Sequence, residues 1–118
     1  MSAISVLLTE KIIEIVKKTQ GIDIRDFVLE HPANEKFGDF ATSIAMSLAK
    51  QIGKDPWEIA QEIAGELKGS DLSFESSGNH YPIFFSIEAV KPGFINLMLS
   101  EEWLKNEVAQ VLENGNKY

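Results

Sequence analysis

Apolar residues recur every three or four positions near the start of the chain, at Ile4, Leu7, Leu8, Ile12, Ile15 and Val16. That spacing predicts one face of a helix over 3–19, with Ser2 as its N-cap and Gly21 as its stop. Residues 26–31 (DFVLEH) read as a short strand that ends before Pro32. After a polar turn, Asp39 is placed to cap a helix over about 40–51 whose buried set is Ile44, Ala45, Leu48 and Ala49, and Gly53 ends it. Asp55-Pro56-Trp57-Glu58 is a further start signal, with an N-cap, a proline at the first helical position and a glutamate where a capping box needs one. The helix it opens carries Ile59, Ala60, Ile63, Ala64 and Leu67 inward and stops near Gly69.

Residues 69–81 read as a loop with a ragged strand around Leu72 to Glu75. From Ile83 the period shortens to two: IFFSIEAV, a break at Lys91-Pro92-Gly93, then FINLMLS. Ser100, with Glu101, Glu102 and Trp103 behind it, opens a last helix through Leu104, Val108, Val111 and Leu112. The expected architecture is α+β, in the order α-β-α-α-β-β-α, with helices packed on one face of a small, mainly antiparallel sheet.

The 118 residues suit one domain with a core of its own, and 44% apolar and 25% charged residues are ordinary for a globular protein. No apolar run reaches the roughly 18 residues of a membrane span. The N-terminus carries Glu10 and Lys11 where a secretory leader stays apolar, and the chain has no cysteine. The expectation is a soluble, cytoplasmic protein. A net charge of −7 repels phosphate backbones, so any nucleic-acid contact has to be local or has to borrow basic surface from elsewhere.

Catalytic chemistry is hard to find. His31 and His80 lack metal-type spacing, Lys36-Phe37-Gly38-Asp39 is not a phosphate loop, and the carboxylates of Asp39, Asp55, Glu58, Glu101 and Glu102 stand where helix starts explain them. No nucleophile, base and orienting group form a set. The alternation of the 94–99 segment is more informative. Ile95, Leu97 and Leu99 make an apolar face for the helices, which leaves Phe94, Asn96 and Met98 on the other side, next to the 83–90 strand. A ring beside a carboxamide on an open sheet suits an unpaired base, one for stacking and the other as donor and acceptor. Alternation alone favours the plainer reading, in which Phe94 and Met98 pack under a loop or on a neighbouring domain. Lys36 and Lys91, both on turns, are the lysines within reach of phosphate, although a lone lysine on a turn is usually just solvated.

Lys36-Phe37-Gly38-Asp39-Phe40-Ala41-Thr42 with Ile44-Ala45-Met46 resembles the motif near the start of arginyl-tRNA synthetases. Gly53-Lys54-Asp55-Pro56 with Glu58-Ile59-Ala60, then Pro92-Gly93-Phe94-Ile95-Asn96, then Trp103-Leu104 follow in that family's order and spacing. The resemblance covers residues from the first helix to 113. It implies an N-terminal tRNA-binding domain over 1–113, with 114–118 leading into a catalytic domain beyond the chain. It also implies contact with the D-loop of arginine tRNA through Phe94 and Asn96. Lys91 falls where the family has an amide residue, and Ser43 where many members have asparagine.

The family's ATP- and arginine-binding motifs are absent. The expectation is a monomeric domain with no catalytic residue, no metal and no cofactor, whose partners are arginine tRNA and the catalytic domain of the same chain; ATP and arginine belong to that other domain. Gly38 is expected to let its turn approach the sheet, Asp39 to cap a helix, and Phe37 and Phe40 to anchor the loop. The competing expectation is a docking module whose apolar patch is Phe84, Phe94 and Met98.

Overall fold

The computed structural model describes residues 3–25, 27, 29–32, 38–70 and 72–106. The first helix, α1 (Ala3–Gln20), ends as expected at Gly21, whose φ of +71° is the left-handed region and whose N–H returns to the Lys17 carbonyl at 3.0 Å. It buries Ile4, Leu8, Ile12, Ile15 and Val16, whereas Leu7 is 41% exposed. The expected Ser2 cap lies outside the described residues.

The next stretch departs from the expectation. Among the described residues of 26–31, pairing is confined to a single antiparallel bridge between Glu30 and Ala41. The strand is instead β1 (Phe40–Thr42), where a helix was expected to begin. Asp39 decides this. Its N–H donates to the Leu97 carbonyl and its carboxylate accepts from the Leu99 N–H, both at 2.8 Å, so it ties the chain to the sheet and caps nothing. Gly38 permits the approach, as expected: φ is +91°, and a Cβ there would stand 2.6 Å from the Leu97 carbonyl oxygen. The helix can start only once the chain leaves that ladder, and α2 (Ile44–Ile52) begins after Ser43, whose side chain makes no cap. Thr42 Oγ1 accepts from the Ile44 N–H at 3.1 Å in its place.

α3 (Pro56–Gly69) starts as its sequence dictates, with Asp55 accepting from the Trp57 N–H at 3.2 Å and Pro56 at the head. The ragged strand expected around Leu72 to Glu75 is β2 (Ser73–Ser76), and the rest of the expected loop supplies its hairpin partner β3 (Asn79–Pro82). Its two-residue connection is Ser77-Gly78, with φ of +53° and +80°, the positive pair that a tight hairpin turn requires. Then come β4 (Phe84–Val90) and β5 (Phe94–Leu99), and residues 101–106 are helical. Ser100 is the expected N-cap there: its Oγ accepts from the Trp103 N–H at 3.0 Å and donates to the Pro82 carbonyl at 2.6 Å. Val108, Val111 and Leu112 lie outside the described residues.

The main sheet is antiparallel in the order β1-β5-β4. One face carries Phe40, Ile87, Ile95 and Leu97 into a core shared with Ile44, Leu48, Ile59, Ile63 and Leu67 of α2 and α3. α1 closes the core by packing on α3, where Lys18 meets Glu66 at 2.5 Å and Gln20 meets Glu62 at 3.2 Å. The α+β class with helices on one face of an antiparallel sheet therefore stands.

The two glycines of contrasting setting give opposite outcomes. Gly38→Ala forces a methyl group into the β5 backbone at positive φ and is expected to cost roughly 2–4 kcal/mol in a urea melt. Gly65→Ala, in the middle of α3 with nothing within 4 Å of the new carbon, is expected to stabilise by about 0.5–1 kcal/mol.

Candidate nucleic-acid interface

Among the described residues no helix packs on the face of the sheet built by the even positions of β5, the helix-free face. Register sets Phe94 beside Val90, Asn96 between Ala41 and Glu88, and Met98 beside Ser86. Phe94, Asn96 and Met98 are each half-buried, while Ile95 and Leu97 between them are fully buried. The segment at Glu30 adds a further rung beyond β1 through its bridge to Ala41, with N–H to carbonyl distances of 2.7 and 2.8 Å.

These elements enclose a shallow hollow of about 360 Å³, open to solvent and lined by Glu30, Pro32, Ala41, Val90, Lys91, Phe94 and Asn96. Its walls are mostly apolar, and its size is at the low end of the ~300–1,000 Å³ of small-ligand sites. Three of the lining residues carry polar side chains: Glu30, Lys91 and Asn96. No hydrogen bond among the described residues uses the Asn96 side chain, which leaves its donor and acceptor for a ligand.

Three of the four residues singled out from the sequence, Phe94, Asn96 and Lys91, thus meet at one hollow, and Lys36 lies outside the described residues. Met98 shares the face but not the hollow. Glu30, Pro32, Ala41 and Val90 were not foreseen. The β4 alternation that puts Val90 and Glu88 beside Phe94 and Asn96 was legible, whereas the rung at Glu30 depends on tertiary pairing. Phe84 is misplaced in the expected apolar patch: it sits opposite Leu99 on the helix side and is 9% exposed. A bulge between Phe84 and Ser86 turns its neighbour Phe85 outward instead, 75% exposed.

Neither histidine is drawn into a site. The His31 ring rests on Phe40 at 4.9 Å between centroids, and His80 is an exposed residue of β3 opposite Glu75. Among the described residues no three His, Asp or Glu side chains are grouped to hold a metal, and no helix is long and apolar enough to cross a membrane.

Residues 6–99 match the family described as the arginyl tRNA synthetase N terminal domain. Among curated relatives, the arginine–tRNA ligase of Thermotoga maritima is 40% identical over 111 residues, covering 94% of this chain and 18% of the relative. That of Aquifex aeolicus is 36% identical over 112 residues, covering 95% and 17%. Among solved structures, arginyl-tRNA synthetase from Plasmodium falciparum superposes with a TM-score of 0.71 at 19% identity, over 94% of this chain and 18% of that one. The Thermus thermophilus arginyl-tRNA synthetase gives 0.63 at 24% identity, over 86% and 15%. At those identities the two structures speak for the fold. The chain belongs to the arginyl-tRNA synthetase N-terminal domain family, and it spans less than a fifth of the length of these relatives.

Because Phe94 is half-buried on the helix-free face, Phe94→Ala is expected to keep the fold. Its cost in a denaturant melt should stay well below the ~3–5 kcal/mol of a phenylalanine taken from a core. A loss of that full size would put the ring in the core and remove it from the interface.

Proposed function

We propose that this chain is the tRNA-contacting domain at the N-terminal end of an arginine–tRNA ligase, and that it touches the D-loop of arginine tRNA. The observation that carries this reading is the meeting of the Phe94 ring and the uncommitted Asn96 amide at one solvent-open hollow. An unpaired base stacks on Phe94 while Asn96 bonds its edge. Lys91, on the same wall, contributes charge. Such a contact helps orient the tRNA for ATP-dependent aminoacylation, and the ATP and arginine sites belong to the catalytic part of the same chain. This domain supplies no catalytic group and holds no cofactor. It works in the cytoplasm, as part of a monomeric enzyme and away from membranes.

Stacking on one aromatic ring is worth about 1–3 kcal/mol per base. On a body of net charge −7 that makes a weak site alone. Joined to the other tRNA contacts of the ligase it acts through effective concentration. A second reading, docking on another protein domain without RNA, is favoured by the exposed Phe85 ring on the edge strand β4. It gives no role to the Asn96 amide.

Affinity for arginine tRNA in the full-length ligase separates the two. Phe94→Ala is expected to weaken binding by about 5- to 100-fold. The difference from wild type should vanish with a tRNA whose D-loop is deleted. Equal binding by both proteins to intact tRNA would leave docking as the function of this domain.

A further inference from the structure

The turn between β4 and β5 does more than reverse the chain. Gly93 is buried, and a Cβ there would lie 2.8 Å from Pro56 Cβ and 2.9 Å from Met46 Cγ. Only glycine lets the turn settle on the first residues of α3. That approach brings Lys91 to Trp57, with Nζ 5.6 Å from the centre of the indole ring. An ammonium is held by the face of an aromatic ring at this distance. The Trp57 backbone is set at the head of α3, where its N–H donates to the Asp55 carboxylate and Pro56 precedes it.

Charge around the hollow is uneven. Lys11, Lys17, Lys18 and Lys54 are paired with Glu14, Asp23, Glu66 and Glu62. Lys91 has no ion-pair partner among the described residues, and it is the basic residue among those that line the hollow. Glu30 shares that wall, and Glu88 stands beside Asn96. A phosphate backbone crossing this face meets carboxylates on both flanks of Asn96 and finds attraction at the Lys91 end.

We propose that Trp57 is a positioning residue that holds the Lys91 ammonium at the lip of the hollow, where it receives a phosphate of the same RNA strand whose unpaired base lies on Phe94 and Asn96. This rests on the reading of the hollow as a base site and adds a phosphate subsite to it. A lysine on a bare turn loses rotamer freedom when it grips phosphate; one already resting on an indole has less to lose.

The test is arginine-tRNA binding by the full-length ligase between about 50 and 200 mM salt. Losing one phosphate contact lowers the slope of log affinity against log salt by about 0.7–0.9, so the wild-type advantage shrinks about threefold across that range. Lys91→Gln is expected to show this change and Lys91→Arg to keep the wild-type slope. Trp57→Leu is expected to weaken low-salt binding about two- to fivefold, the worth of an exposed cation–ring contact, and to have no effect in the Lys91→Gln background. Equal effects of Trp57→Leu in both backgrounds would reduce Trp57 to a structural residue and overturn the proposal. An unchanged slope in Lys91→Gln overturns it too. If the leucine variant does not melt cooperatively, Trp57→Phe, with its weaker ring, completes the same cycle. Phe94→Ala tells the two layers apart: wild-type affinity there sinks the base-site reading, whereas a loss of affinity beside an unchanged Lys91→Gln slope sinks the phosphate subsite alone.

Discussion

The structure depends on one strand hydrogen-bonded on both sides. β5 lies between β1 and β4, and its side chains alternate between a sealed core and an open face. Ile95 and Leu97 are fully buried under the helices, and this fixes where Phe94 and Asn96 must point. A slip of one residue would exchange the two sets and put a carboxamide in the core, so burial of the odd positions enforces presentation of the even ones. Gly38 and Asp39 secure the register from the other side by binding the β5 backbone at Leu97 and Leu99.

That arrangement separates stability from recognition. The aliphatic core of α1, α2, α3 and the sheet supplies folding energy without using the helix-free face. The face is then free to carry a ring, an amide and a few charges, at small cost to the fold. Its carboxylates argue against a general electrostatic grip on nucleic acid, because Lys91 shares the face with Glu30 and Glu88.

The helices were legible because their signals are local. Asp55-Pro56 sets the start of α3, and Gly21 and Gly53 end their helices in the left-handed region. The period-two pattern of β4 and β5 was equally plain, and with it the side of the sheet on which Phe94 and Asn96 stand. Of the hairpin at 73–82 only the first strand is legible, because its turn signal is the pair Ser77-Gly78, and serine is an uncommon residue at positive φ. Phe84 was assigned to the wrong face because a bulge breaks the count at Phe85.

Sequence by itself determined the α+β class, the helix boundaries with local caps, the two faces of β5 and the family to which the chain belongs, since each depends on residues close in the chain or on motif order. Tertiary structure decided what Asp39 does, because a carboxylate that caps a helix and one that binds a strand 60 residues away look alike in sequence. It also decided that Glu30 and Pro32 border the hollow and that Lys91 rests on Trp57. These are meetings of segments far apart in the chain, and only the closing of the core brings them together.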